Sequence, residues 1–455
     1  MKLGFNSSGN NQTSNRTTSA VFLGKLRNSA GSITRKFKFC NNNSNDMNST
    51  FNCVFNNSNN NSSDNLNIEF QTYHILNNIS NEVLNLETVD LNTEITDLNE
   101  ETANLNEEND TDFKTFTESF RGPVIGPFTP LQIKNAYSIS NILPVKGIRA
   151  PIVTIITAFN NPYLLNDVKK FGEIFKLPPC NIKIYNFSNT FNVGWAIETT
   201  LDVQWVYAIN PYAEIRVIQA ASSNFSNIMN AINFSNNKNN FNPKIDTDVL
   251  NMSFGMPDNG SFSSYNNYFT NNNTIYLAAS GDSSIVSFPS SCTNILAIGG
   301  TTLKLNNNNT RFSERVWKSS GCGYSKSFIR PSYQPKLSNN NSRITPDVSC
   351  VADPGTGCYV VLNQKIYSVG GTSLSSPIYC GILSLLTQKR LNNNKYTFTS
   401  VSDKFNSIQP LLYQNNSNFF DITEGSSSSY NASKGFDIAS GLGVVNVEKL
   451  LQSLG

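Results

Sequence analysis

From residue 121 onward the chain predicts an α/β domain, built on a central, mostly parallel sheet with helices on both faces. Three observations carry this. Short apolar runs of strand length alternate with longer stretches of helical spacing. Runs that are apolar throughout suit strands buried on both faces, as in a parallel sheet covered by helices. The polar residues capable of chemistry fall just past such runs, where open α/β sheets gather their reactive groups.

The elements follow in order. The texture changes at Arg121-Gly122-Pro123. Pro151 to Ile156 reads as a buried strand, Tyr163 to Phe175 as a helix and Ile182 to Tyr185 as a strand. Trp195 to Ile209 is helical, Glu214 to Ala220 a strand, Asn224 to Phe234 a helix, and Val249 to Phe254 and Thr274 to Ala279 are strands. A further helix begins near Leu374.

Residues 1–120 form an Asn-rich, low-complexity region ahead of the domain, 121–455. Runs such as Asn56-Asn57-Ser58-Asn59-Asn60-Asn61 carry too little apolar surface to offset the entropy of ordering. Lys2 to Lys38 is mildly basic, whereas Glu82 to Asp112 carries acidic charges only. Leu84, Leu91, Leu98 and Leu105 recur every seven residues, but Thr102 interrupts the seam and no opposite charge flanks it, which favours a short marginal helix over a coiled coil.

A net charge of +2 with 15 % charged residues gives no basic field for nucleic acid or an anionic membrane. No run reaches the roughly 18 apolar residues of a membrane span. The residues after Met1 lack the apolar core of a secretory signal, so export is not supported from this end. The eight cysteines have no zinc spacing, which leaves disulfides and free buried thiols both open. Asn-x-Ser/Thr sequons are numerous, as chance dictates in so Asn-rich a chain.

Gly370-Gly371-Thr372-Ser373-Leu374-Ser375-Ser376-Pro377 places a serine at a helix start, while the only histidine, His74, is far away in sequence. A serine hydroxyl needs a neighbouring base to act as a nucleophile, so a carboxylate or a lysine must serve. Glu198 and Asp202 are four apart and share one helical face. Such pairs ordinarily lie in water, but Trp195, Leu201, Trp205 and Val206 around them argue for burial. A carboxylate dyad can share a proton and work as a base in acid. Asp282, in Ser280-Gly281-Asp282-Ser283, follows an apolar strand and is either an ordinary turn aspartate or a protonated donor to an oxyanion. Ser373 itself reads as a helix-capping serine or as a nucleophile beside backbone donors.

Taken together, Glu198, Asp202, Asp282 and Ser373 resemble the sedolisin family of serine-carboxyl peptidases, which includes the tripeptidyl-peptidase type. The resemblance runs from Phe128 to the C-terminus. It includes Thr129-Pro130-Leu131-Gln132-Ile133 with Tyr137, Phe288-Pro289-Ser290-Ser291, Gly299-Gly300-Thr301, Pro346-Asp347-Val348-Ser349 and the Gly-Thr-Ser-x-x-x-Pro signature. It implies a subtilisin-like fold with Glu198 as base, Asp202 orienting it, Ser373 attacking and Asp282 stabilising the oxyanion. It also implies peptide or protein substrates and an acidic setting, lysosome-like or secreted. Tripeptide removal and internal cleavage both remain open.

The resemblance further implies one structural Ca2+ held by the side chains of Asp421 and Asp437 and the carbonyls of Ile422, Ser433 and Gly435, with serine at 433 where the family usually has glycine. Residues 1–120 do not read as the folded propeptide such enzymes carry, so a divergent or truncated propeptide is expected. Cys322 stands where relatives are glycine-rich, lining a substrate wall or pairing with another cysteine. Two alternatives stay in view: a hydrolase with a lysine base, and a non-catalytic peptide-binding relative.

Overall fold

The computed structural model describes residues 70–72, 75–77, 123–140, 145–146, 149–402 and 404–455. The acidic stretch, the leucine repeat, His74, Cys40 and Cys53 lie outside the described residues.

In chain order the strands are β1 (Gln71–Thr72), β2 (Ile75–Asn77), β3 (Ile152–Ala158), β4 (Asn181–Asn186), β5 (Glu214–Ala220), β6 (Val249–Met252), β7 (Phe254–Pro257), β8 (Ile275–Ala279), β9 (Ser287–Phe288) and β10 (Leu296–Leu305). There follow β11 (Arg311–Val316), β12 (Gly323–Ile329), β13 (Ser342–Thr345), β14 (Val348–Val351), β15 (Cys358–Leu362), β16 (Lys365–Gly370), β17 (Phe419–Phe420), β18 (Ser426–Ser427), β19 (Tyr430–Asn431) and β20 (Val444–Val445). The principal sheet runs β17-β20-β14-β10-β8-β6-β3-β5-β4, with β11 paired to β10. From β4 to β20 every neighbouring pair along this path is parallel; β17 and β11 are antiparallel additions.

Alternation along each strand explains why both faces are covered. Val153, Ile155, Ile215, Val217 and Val249 enter one apolar core, where the helices Leu164–Ile174, Val193–Ile209 and Thr372–Asn392 pack. Ile156, Ala158, Ile218, Leu250 and Met252 enter a second core under the helix Phe225–Ser235. Strands wet on one face would show polar residues at every second position. All seven residues of β3 and of β5 are buried instead.

One sequence expectation divides in two. The run Val249 to Phe254, expected as a single strand, breaks at Ser253 into β6 in the principal sheet and β7 in a small sheet of order β1-β7-β9. The cause is local: Ser253 turns its hydroxyl to Asp202 and its carbonyl to Ser373. A backbone committed to those partners leaves the ladder.

The Pro346-Asp347-Val348-Ser349 motif proves structural. Arg343 grips Asp347 with two parallel bonds of 2.9 and 2.6 Å, both side chains being 0 % exposed. Ala297 N, Gln334 Nε2 and Tyr413 OH also donate to the carboxylate, and Arg343 donates to the carbonyls of Cys292 and Ile295. A buried ion pair with such full satisfaction locks the loop between β13 and β14 in place.

Candidate active site

Two helices build the site. Val193–Ile209 starts with Asn192, whose side chain accepts from Trp195 N. It is buried almost all round, so the pair Glu198 and Asp202 lies in the interior and not on the wet face that such spacing ordinarily means. Thr372–Asn392 packs directly against it. The approach is close enough that a methyl at Gly381 would come within 2.6 Å of the Ile209 side chain. The second helix is entered through Gly371 at φ +119°, a conformation that side chains rarely adopt, which places Ser373 in its first turn.

The four residues singled out in sequence meet here. The Ser373 hydroxyl is hydrogen-bonded to the Glu198 carboxyl and also lies 3.1 Å from the carbonyl of Ser253 as donor. The charge of Glu198 acts on Asp202 one turn along the helix, and that of Asp282 acts on Glu198 from the turn after β8. Asp282 Oδ1 accepts from Thr372 N at 2.8 Å and from Thr372 Oγ1 at 2.7 Å, so the acid is fixed against the residue next to Ser373. Thr372 Oγ1 in turn accepts from Gly281 N.

Burial governs the protonation of the pair. It pushes the Glu198 carboxyl well above its ordinary range, with Asp282 adding to the rise and the Ser373 hydrogen bond opposing it. Asp202 is likewise raised by burial and by the charge of Glu198, against the hydrogen bonds from Ser253 and Asn251.

Sequence reasoning missed the residues that hold the dyad. Ser253 Oγ donates to Asp202 Oδ1 at 2.6 Å, Asn251 Nδ2 donates to Ser253 Oγ, and Ser376 Oγ donates to Asn251 Oδ1. Ser376 is one turn beyond Ser373, so this polar chain ties the two helices together through the end of β6. The only hint in the sequence is the pair of polar residues, Asn251 and Ser253, inside an apolar run.

The C-terminal loop in which the sequence reading expects Ca2+ is assembled by backbone donors. Asp421 Oδ2 accepts from Gly435 N at 2.8 Å, and Asp437 Oδ2 accepts from Ser433 N at 2.9 Å. Asp437 Oδ1 takes Ala439 N and Ser440 N. The five expected ligands therefore share one loop cluster. Among the described residues no group of three or more His, Cys, Asp and Glu side chains is placed to hold a metal. The six described cysteines form no disulfide; Cys322 is buried and its thiol lies against the carbonyl of Ser427.

Residues 204–424 match the model of the Subtilase family. Kumamolisin from Bacillus sp. (strain MN-32) is 30% identical over 295 residues, which are 56% of this chain and 50% of kumamolisin. Tripeptidyl-peptidase sed4 from Aspergillus fumigatus is 27% identical over 370 residues, 62% of this chain and 59% of the relative. The chain thus spans between half and three fifths of the length of these relatives. Pseudomonas sedolisin, solved as a serine-carboxyl proteinase with two molecules of pseudo-iodotyrostatin, shares the fold with a TM-score of 0.62 at 23% identity, covering 71% of this chain and 96% of that one. The sequence matches and the shared fold agree, and the chain is similar to the sedolisin-type serine-carboxyl peptidases.

Proposed function

We propose that this chain is an acid-acting serine peptidase in which Ser373 is the nucleophile, Glu198 the general base, Asp202 the group that orients and tunes it, and Asp282 an oxyanion donor. The observation that supports this most is the hydrogen bond between the Ser373 hydroxyl and a buried carboxyl, in a chain whose only histidine is His74. No imidazole from the domain can take that role.

The chemistry follows from the contacts. With Glu198 protonated, its proton bonds to Ser373 Oγ and the hydroxyl proton of Ser373 goes to the carbonyl of Ser253. Once Glu198 ionises, the hydroxyl turns to it, and Glu198 takes the proton as Oγ bonds to the peptide carbonyl carbon. The same proton passes to the leaving amine as the C–N bond breaks, and water then releases the acyl group. A raised pKa makes Glu198 a stronger base than an exposed carboxylate, and burial keeps it so. Protonated on the oxygen not held by Thr372, Asp282 would donate to the oxyanion together with the N–H groups of the helix start.

The residues of the C-terminal loop fit Ca2+. The carbonyl oxygens of Ile422, Ser433 and Gly435 accept no hydrogen bond, and no lysine or arginine forms an ion pair with Asp421 or Asp437, among the described residues. Carboxylates and spare carbonyls suit a hard cation. When bound, the ion would neutralise both acids and clamp the loop to β17 and β20, with no step in catalysis.

The substrates are peptides or proteins, and the name of the Aspergillus relative makes removal of N-terminal tripeptides the first specificity to test. The chemistry suits an acidic compartment or medium. No helix among the described residues is long and apolar enough to cross a membrane. The test is hydrolysis of blocked and unblocked fluorogenic peptides by the full chain between about pH 3 and 8, beside Ser373→Ala. Acid-peaked cleavage lost in the variant is expected. Binding of peptides without any cleavage would instead identify a non-catalytic relative.

A further inference from the structure

The helix that carries Glu198 and Asp202 is also gripped from behind. Gln204 lies two residues past Asp202, about 200° further round the helix. It is 0 % exposed, and its side chain engages a single residue of β15 at both ends: Nε2 donates to the carbonyl of Val361 at 2.8 Å, and Oε1 accepts from Val361 N at 2.8 Å. A side-chain amide carries the same donor and acceptor as a backbone peptide, so Gln204 stands where a neighbouring strand would stand. Two residues back along β15, Tyr359 N donates to the carbonyl of Phe128, and Trp205 Nε1 donates to the carbonyl of Tyr359. Adjacent residues of the dyad helix thus complete this edge of β15 together with Phe128.

The other edge of β15 leads to the nucleophile. All of β15 pairs antiparallel with β16, from Cys358 opposite Val369 to Leu362 opposite Lys365, and β16 ends at Gly370, three residues before Ser373. The turn between the strands is Asn363-Gln364, at φ +48° and +64°, the left-handed pair that a two-residue hairpin loop requires and that glutamine tolerates poorly. Asp167, 2 % exposed on the helix Leu164–Ile174, holds that turn: its carboxylate accepts from Asn363 N and Gln364 N at 2.9 Å each and from Gln364 Nε2 at 3.0 Å. Gln204 Nε2 also reaches the carbonyl of Asp167, at 3.3 Å. A ring of contacts therefore runs from Glu198 along its helix to Gln204, across β15 and β16, and through Ser373 back to Glu198.

We propose that Gln204 is a positioning residue: its bonds to Val361 set the register of the dyad helix against the hairpin that delivers Ser373, and so hold Glu198 within reach of the nucleophile, while Asp167 fixes the far end of the hairpin. The catalytic half of this proposal rests on the peptidase reading, whereas the register contact does not. Main-chain groups that point the same way recur at every second residue of a strand, about 6.6 Å apart. A hydrogen bond is lost over a few tenths of an ångström. Gln204 therefore has one seat on Val361 and no intermediate one, and the pair of Glu198 and Ser373 inherits that precision.

The test compares the full chain with Gln204→Met, which keeps the length and removes both bonds, and with Gln204→Glu, whose carboxyl is neutral below about pH 4 and then restores a donor and an acceptor. Hydrogen exchange of the Val361 amide should quicken about tenfold in Gln204→Met and return to the unaltered rate in Gln204→Glu at about pH 3.5. Peptide hydrolysis by folded Gln204→Met should lose about 30-fold in kcat with KM within about twofold, and Gln204→Glu should recover all but about threefold of that at the same pH. Because the Ser373 hydrogen bond holds the Glu198 carboxyl down, its loss in Gln204→Met should also move the acid limb of the kcat profile up by about half a pH unit, which lost stability alone does not do. Unchanged Val361 exchange in Gln204→Met overturns the register contact. Quickened exchange with kcat and the acid limb unchanged overturns the positioning and leaves the peptidase standing. A fall in kcat that Gln204→Glu does not rescue overturns the positioning as well. Quickened exchange where no chain, the unaltered one included, hydrolyses peptide upholds the contact and overturns the peptidase reading.

Discussion

Asp347 and the pair Glu198 and Asp202 are equally hidden from water, at 0 to 1 % exposure, but their neighbours differ in sign. Around Asp347 stand the Arg343 guanidinium and three further donors. Burial works against the charge of Arg343, and Asp347 outweighs it, so the guanidinium is held more firmly protonated than usual. The groups that act on Glu198 and Asp202 are hydroxyls, an amide and further carboxylates. The difference teaches how to tell architecture from chemistry among buried acids. A carboxylate gripped by a cation, as Asp347 is by Arg343, is balanced in place and holds structure. Carboxylates that meet each other must bind protons, and protons can be given away.

The comparison breaks most completely at the nucleophile. Ser373→Ala and Glu198→Gln should each lower peptide hydrolysis by about 10⁴-fold while leaving the melting temperature at acid pH nearly untouched. Equal activity of either variant in steady-state assays would remove the dyad from the mechanism. On the other side, Arg343→Met should cost about 3–5 kcal/mol in urea unfolding, because Asp347 is left as a charge without compensation. A cost under about 1 kcal/mol would mean that the loop is held by other contacts.

A metal ion is the third way to neutralise a carboxylate. Chelation of calcium should destabilise the chain by about 2.7 kcal/mol relative to protein at 100-fold excess over Kd, read as a lowered Tm. An unchanged Tm in chelator would remove the ion from the loop of Asp421 and Asp437.

The smallest effect is the most discriminating. Both dyad carboxyls have folded-state pKa values raised above the unfolded ones, so the stability they contribute is present below about pH 4 and is lost as pH rises toward the folded values. Each unit of that rise traversed costs about 1.4 kcal/mol. Glu198→Gln and Asp202→Asn should therefore flatten the decline of stability between acid and neutral pH, whereas Arg343 stays charged throughout and contributes no slope. A profile that declines equally in all three proteins would place the titration elsewhere.

Much of this was legible in the sequence, because a strand buried on both faces and a four-residue helical spacing leave direct patterns. The runs around Val153, Ile215 and Leu277 became strands of one parallel sheet, as expected. Glu198 and Ser373 were singled out by their spacing and motifs and by the family resemblance that these carry. Ser253 was read through as one more strand position, since a serine in an apolar run carries no sign of the carboxyl that it serves. Thr372, which grips Asp282, looked like the threonine of any helix start. The pairing of β1 and β2 with the domain was not read: it depends on backbone hydrogen bonds, which any sequence can make, although Leu66, Ile68 and Phe70 alternate with polar residues there.

The contact between the helices Val193–Ile209 and Thr372–Asn392 also bears on when the site exists. The Glu198 to Ser373 bond joins residues far apart in sequence, with Ser253 wedged between them from a third part of the chain. Contacts of such separation are slow to close, because the loop entropy is lost before the contact is gained. A chain emerging from the ribosome therefore carries Glu198 and Ser253 for many residues before Ser373 can join them. The last long helix brings Ser373 on its first turn as the third part of the site, and β17 and β20 join the principal sheet only after it in the chain.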